Sequence, residues 1–154
     1  MKLHGKIIDL PKPEVLVIPR DDGDLVFKAA PVIDYGEFDR LCPRPTPPVV
    51  TYKGGKQVDD TSDKTYRESI DAWGQQKVDW LLIESLKATE GLEWDNVVAT
   101  DPSTWKNART ELTSCLPDPT VSRIIDLVFQ ACGLNQEKID EATKSFLAGQ
   151  GEAQ

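Results

Sequence analysis

Four of the six residues from Pro43 to Pro48 are proline. Each proline ring fixes φ near −65° and removes an amide donor, so this stretch can sit in neither a helix interior nor the middle of a sheet. It is predicted to run extended, as polyproline segments do, and to act as a stiff strap along the surface. The strap divides the chain into a front and a longer back that read differently.

The front reads as β structure. Lys2 to Asp9 carries Leu3, Ile7 and Ile8, and Val15-Leu16-Val17-Ile18 is a continuous apolar run rich in β-branched residues. Leu25-Val26-Phe27 follows Asp21-Asp22-Gly23-Asp24, a polar turn whose glycine is free to adopt positive φ. Pro11-Lys12-Pro13 separates the first run from the second. The pattern predicts a three-stranded antiparallel β-meander with a helix over one face, because three strands cannot hide both faces of a sheet. Asp34 to Leu41 suits a short helix capped by Asp34, with Tyr35, Phe38 and Leu41 three residues apart on one side. Residues 1–49 thus form a β lobe with a short helix and the strap. Residues 50–61, with Gly54-Gly55 and Asp59-Asp60, read as a flexible loop.

The back reads as helices. Residues 62–88 form the longest, capped by Ser62 or Asp63, with Tyr66, Ile70, Trp73, Lys77, Trp80 and Glu84 along one face. Its second half, Val78 to Leu86, is apolar over so wide an arc that it is predicted to be the most buried segment. Gly91 is the stop signal. Asp101-Pro102 starts a helix that ends near Ser114, and Asp118-Pro119 repeats the device. The helix after it presents Val121, Ile124, Ile125, Val128, Phe129 and Cys132, and Gly133 stops it. Asn135 caps a last helix with Ile139, Ala142, Phe146 and Leu147 inward and Gly149 as its stop. The expected architecture is α+β: an antiparallel meander followed by a helical lobe of four to five helices over 62–149, with 150–154 a disordered tail.

Charge narrows the function. The chain carries a formal net charge of −8, which argues against a nucleic-acid or anionic-membrane partner. Residues 1–61 hold 9 basic and 10 acidic side chains while residues 62–154 hold 9 and 16, so the acidity belongs to the helical part. No apolar stretch reaches the ~18 residues of a membrane span. Too few apolar residues precede Asp9 for a signal-peptide core, so a cytosolic protein is expected.

Little points to chemistry. Cys42, Cys115 and Cys132 lack paired metal-ligand spacing, and His4 is the one histidine. Reduced, packed thiols are the expectation. Phosphate-loop, dinucleotide, nucleophile-elbow and zinc-protease motifs are absent from the sequence. Gly54-Gly55-Lys56 lacks phosphate-loop spacing. Asp21-Asp22-Gly23-Asp24 lacks the distant bidentate glutamate of a calcium loop. Glu90, Glu93 and Asp95 lie near Trp94 without a partner group for acid–base work. No enzyme activity, cofactor or metal is expected. Trp73, Trp80, Trp94 and Trp105 all sit in the acidic half, as core anchors or as the lining of a surface for another chain.

Four segments carry a resemblance: Val17–Pro48, VIPRDDGDLVFKAAPVIDYGEFDRLCPRPTPP; Asp79–Val97, DWLLIESLKATEGLEWDNV; Asp101–Leu112, DPSTWKNARTEL; and Val121–Gln150, VSRIIDLVFQACGLNQEKIDEATKSFLAGQ. Together they resemble the tail assembly chaperones of tailed bacteriophages. The resemblance implies a protein of the infected host's cytoplasm that binds the long helical tape measure protein, keeps it from aggregating and helps recruit tail-tube subunits. It implies no catalytic residues. It also implies that the polar end of the chain suits a frameshift extension. A chaperone for a long apolar-striped helix needs an exposed greasy face ringed by charge. The candidate partner-binding residues are Ile124, Val128, Phe146 and Leu147 on the last two helices, which either accept a partner helix or self-associate; the alternative is that they are simply buried against Trp80 and Leu82. The competing reading is a minor virion structural protein of capsid, connector or tail.

Overall fold

The computed structural model describes residues 1–152. It is a mixed α+β protein in which small antiparallel hairpins precede the helices. The three strand pairs are β1 (Lys2–Leu3) with β2 (Lys6–Ile7), β3 (Glu14–Ile18) with β4 (Leu25–Ala29), and β5 (Val49–Thr51) with β6 (Gln57–Asp59).

The three-stranded meander is therefore replaced by separate two-stranded hairpins. The cause is local. His4 and Gly5 both take positive φ, 48° and 79°, the backbone of a two-residue hairpin turn, so residues 2–7 fold back on themselves. Pro11 and Pro13 then keep this small hairpin from continuing into β3. Residues 50–61 are likewise not a loop throughout. Val50 pairs with Val58, and Gly54 and Gly55 turn the chain at φ 98° and 80°.

The helices are α1 (Gly36–Leu41), α2 (Lys64–Leu86), α3 (Lys106–Cys115), α4 (Asp118–Ala131) and α5 (Gln136–Glu152), with a short 3₁₀ turn at Pro102–Thr104. Most ends follow the chemistry of their caps. The Asp63 carboxylate accepts the Tyr66 N–H at 2.9 Å, and Asp101 accepts the Ser103 N–H at 3.1 Å. At α1 the Asp34 carboxylate accepts the Gly36 N–H at 2.8 Å. Asp118 does not cap α4. Pro117 holds the cap position and Asp118 is the first helical residue, where its charge still favours the positive end of the helix dipole. Gly149 does not stop α5: a glycine without a conformational demand only weakens a helix, and this one continues through residues 150–152. Of the expected disordered tail, residues 153–154 lie outside the described residues.

One core serves both halves of the chain. Phe27 and Ala29 of β4 and Phe38 of α1 share it with Trp80, Leu81, Leu82, Ile83 and Leu86 of α2. Trp105, Leu112, Val121, Ile124 and Val128 close it from the other side. Phe38 sits at the centre of the aromatic part, its ring centroid 5.5 Å from Trp80, 5.7 Å from Trp73 and 6.1 Å from Trp105. The proline strap is tied to α2 at its start, where Trp73 Nε1 donates to the Cys42 carbonyl at 3.0 Å and Arg44 lies over the Trp73 ring. No helix is long and apolar enough to cross a membrane among the described residues.

Candidate functional site

The four residues singled out on the last two helices are not brought together. Ile124 and Val128 are 0% and 1% exposed, locked in the core under α2. Their i, i+4 spacing is that of an amphipathic helix whose stripe faces inward, and the stripe is fully used by packing. Of the two readings, these two residues follow burial in the core, which corrects their assignment to partner binding. Phe146 and Leu147 are 64% and 61% exposed.

The difference lies in α5. None of its side chains from Gln136 to Gly151 is buried. The inward packing expected of Ile139, Ala142, Phe146 and Leu147 does not occur. The helix is nonetheless well started: Asn135 Oδ1 accepts the Lys138 N–H at 3.2 Å, and Gln136 reaches Asp140 at 2.8 Å. At 3.6 residues per turn, Ile139, Ala142, Phe146 and Leu147 share one side, while Glu137, Asp140, Glu141 and Lys144 share the other. An apolar stripe with a charged back thus stands in water with nothing against it.

A second apolar surface escaped the sequence reading. In β3 and β4, Leu16, Ile18, Leu25 and Phe27 point to the core, so Val15, Val17 and Val26 point outward and are exposed. The signal was present in Val15-Leu16-Val17-Ile18, because an unbroken apolar run makes both faces of a strand apolar. Leu3 and Ile7 of the first hairpin are also exposed.

The buried polar groups read as structural. Asp79 on α2 is 5% exposed; its Oδ1 receives Arg109 Nη2 at 3.1 Å and Gln75 Nε2 at 3.2 Å. Burial pushes its carboxyl up, opposed by the Arg109 charge and the Gln75 hydrogen bond. Lys77 lies 5.1 Å from the Tyr35 ring and 5.2 Å from the Trp73 ring, a cation–π contact that closes the edge of the aromatic cluster. The acids near Trp94 are dispersed: Glu90 pairs with Lys28 at 3.2 Å, and Glu111 clamps the Asp95 and Asn96 amides at 2.9 and 2.7 Å. Among the described residues no three His, Cys, Asp or Glu side chains are grouped to hold a metal ion.

No protein-family model, curated protein or solved structure matches the chain.

Proposed function

We infer that the protein acts by binding another polypeptide and catalyses no reaction. The observation that carries this reading is the bare apolar stripe of α5. Ordering a helix costs conformational entropy that tertiary packing normally offsets. A capped amphipathic helix held off the body is suited to lay its apolar side along a partner helix. The charged back and the net charge of −8 keep such a surface soluble in the free protein.

Together with the sequence resemblance, this supports a tail assembly chaperone working in a phage-infected host's cytoplasm. Its client is the tape measure protein, a long helical chain with apolar stripes of its own, and through that client it serves tail-tube assembly. Phe146 and Leu147 carry the contact, with Ile139 beside them.

Co-expression with the tape measure protein tests the reading. The two should co-purify, and the client's soluble fraction should rise. Phe146→Asp with Leu147→Asp should abolish both effects while leaving the helices folded. A client that stays insoluble and unbound overturns the chaperone reading. Recovery of the protein as a fixed component of purified particles by mass spectrometry would assign it to the virion instead.

A further inference from the structure

A second surface, separate from α5, lies along the free edge of β4. Residues of an antiparallel strand alternate in the edge to which their N–H and C=O point. Those of Lys28 point away from β3, because both are bonded to Thr89 Oγ1, at 2.9 Å each. Those of Ala30 do the same, bonding the Ser85 carbonyl at 3.0 Å and the Ser85 hydroxyl at 2.7 Å. The end of α2 thus takes the place of a third strand, and then departs. The regular register from Glu14–Ala29 to Ile18–Leu25 means that Val26, two residues before Lys28, points its N–H and C=O to that same edge. There they meet a cleft of about 560 Å³ between Asp24–Lys28 and Thr89–Leu92.

We propose that this cleft binds an extended segment of another polypeptide, which pairs with Val26 as an added strand and alternates apolar with basic residues. The side chains call for that alternation. Leu25, Phe27 and Leu92 also line an adjoining hollow of about 360 Å³ with Trp94, Leu112 and Leu116, which takes apolar side chains on the core side. Asp24, Val26 and Lys28 lie on the outer side. There Lys28 is engaged by Glu90, whereas Asp24 forms no ion pair among the described residues. Glu93, beside the hollow, also forms none. A basic residue on the incoming strand answers this acidic excess. A second copy of the chain, meeting antiparallel about Val26, would set Asp24 opposite a Lys28 that Glu90 already engages, and so would bring no free cation to this edge. Addition of a strand to an open edge gives affinity through the backbone and selectivity through alternate side chains.

The probe is a capped pentapeptide, valine-arginine-valine-arginine-valine, titrated into the ¹⁵N-labelled full chain. Saturable shifts at the Asp24 and Val26 amides are expected, with Val26 hydrogen exchange slowed about tenfold or more. Glutamate in place of arginine should weaken binding at least about tenfold, because it sets like charges together. A peptide N-methylated at alternate amides should not bind, a control that needs no protein variant. Val26→Pro removes the donor at an edge position, where proline is tolerated, and should also abolish binding. Absence of shifts at millimolar peptide, or equal binding by the N-methylated or glutamate peptide, overturns the proposal. So does a dimer that Val26→Pro dissolves, which would assign the edge to a second copy.

Discussion

Thr89 Oγ1 accepts the Lys28 N–H and donates to the Lys28 carbonyl, both at 2.9 Å, so one hydroxyl satisfies two backbone groups of a strand 61 residues away. The contact joins the hairpin to the end of α2 with polar groups in place of a third strand. Thr89→Val keeps the shape and removes both bonds. It should cost about 1–3 kcal/mol, toward the lower end, because the backbone groups left without a partner are part-buried. Ser85→Ala should cost less, since the Ala30 N–H still bonds the residue 85 carbonyl. Urea unfolding with an unchanged m-value checks both.

Removing Arg109 should destabilise the protein more at neutral than at acid pH. Arg109 holds down a carboxyl that burial pushes above its ordinary value of 3.8. Without it, Asp79 in the folded state keeps its proton to still higher pH, while unfolded Asp79 does not. Stability of Arg109→Ala therefore falls as pH rises through the range above 3.8, and the deficit against wild type narrows on acidification. The loss stays below the roughly 3–5 kcal/mol of a broken fully buried pair, because water screens the guanidinium. Melting temperatures at about pH 4.5 and about pH 7.5 give the comparison; a deficit that grows toward acid would be the wrong sign.

The last two helices should respond in opposite ways to the same substitution. Ile124→Ala should cost about 2–5 kcal/mol, as truncation at a filled core position does. Val128→Asp buries an unpaired charge and should not fold. Phe146→Asp and Leu147→Asp should shift stability by no more than about 0.5 kcal/mol and act on partner binding alone. Circular-dichroism melts separate the two groups.

The three thiols should react in order of access. Cys115 is exposed, Cys132 intermediate and Cys42 buried. Burial also pushes the Cys42 thiol up, away from the reactive thiolate. Mass spectrometry after brief iodoacetamide treatment should find Cys115 labelled first, and Cys42 labelled only on unfolding.

Helix ends were largely legible in the sequence because they are set by neighbouring residues. Asp63, Asp101, Asn135 and Gly133 act within a few positions of their own location. The buried stretch of α2 was legible too, since Trp80 to Leu86 is apolar on nearly every side. What depends on distant chain was not legible. The stripe of α4 and the stripe of α5 have the same periodicity, yet one meets a core and the other meets water. Amphipathicity says that a face seeks a partner and is silent on whether this chain supplies it. Strand pairing differed for a more local reason: β1 finds β2 through the two-residue turn at His4-Gly5, inside a stretch that reads as a single strand because histidine gives no turn signal. The hydroxyls of Ser85 and Thr89 gave no signal at all, since their role exists only once β4 has docked.

Gly133, at φ 68°, closes α4 with its own N–H bonded to the Gln130 carbonyl and the Leu134 N–H bonded to the Phe129 carbonyl. Two residues later Asn135 begins α5. The heading of the final helix is therefore governed by a single achiral residue, much as a rudder is by its pin. A Cβ there meets no neighbour, so the cost of a side chain is backbone strain alone: asparagine would hold the left-handed turn, whereas a β-branched residue would press the arm toward another heading without touching the core.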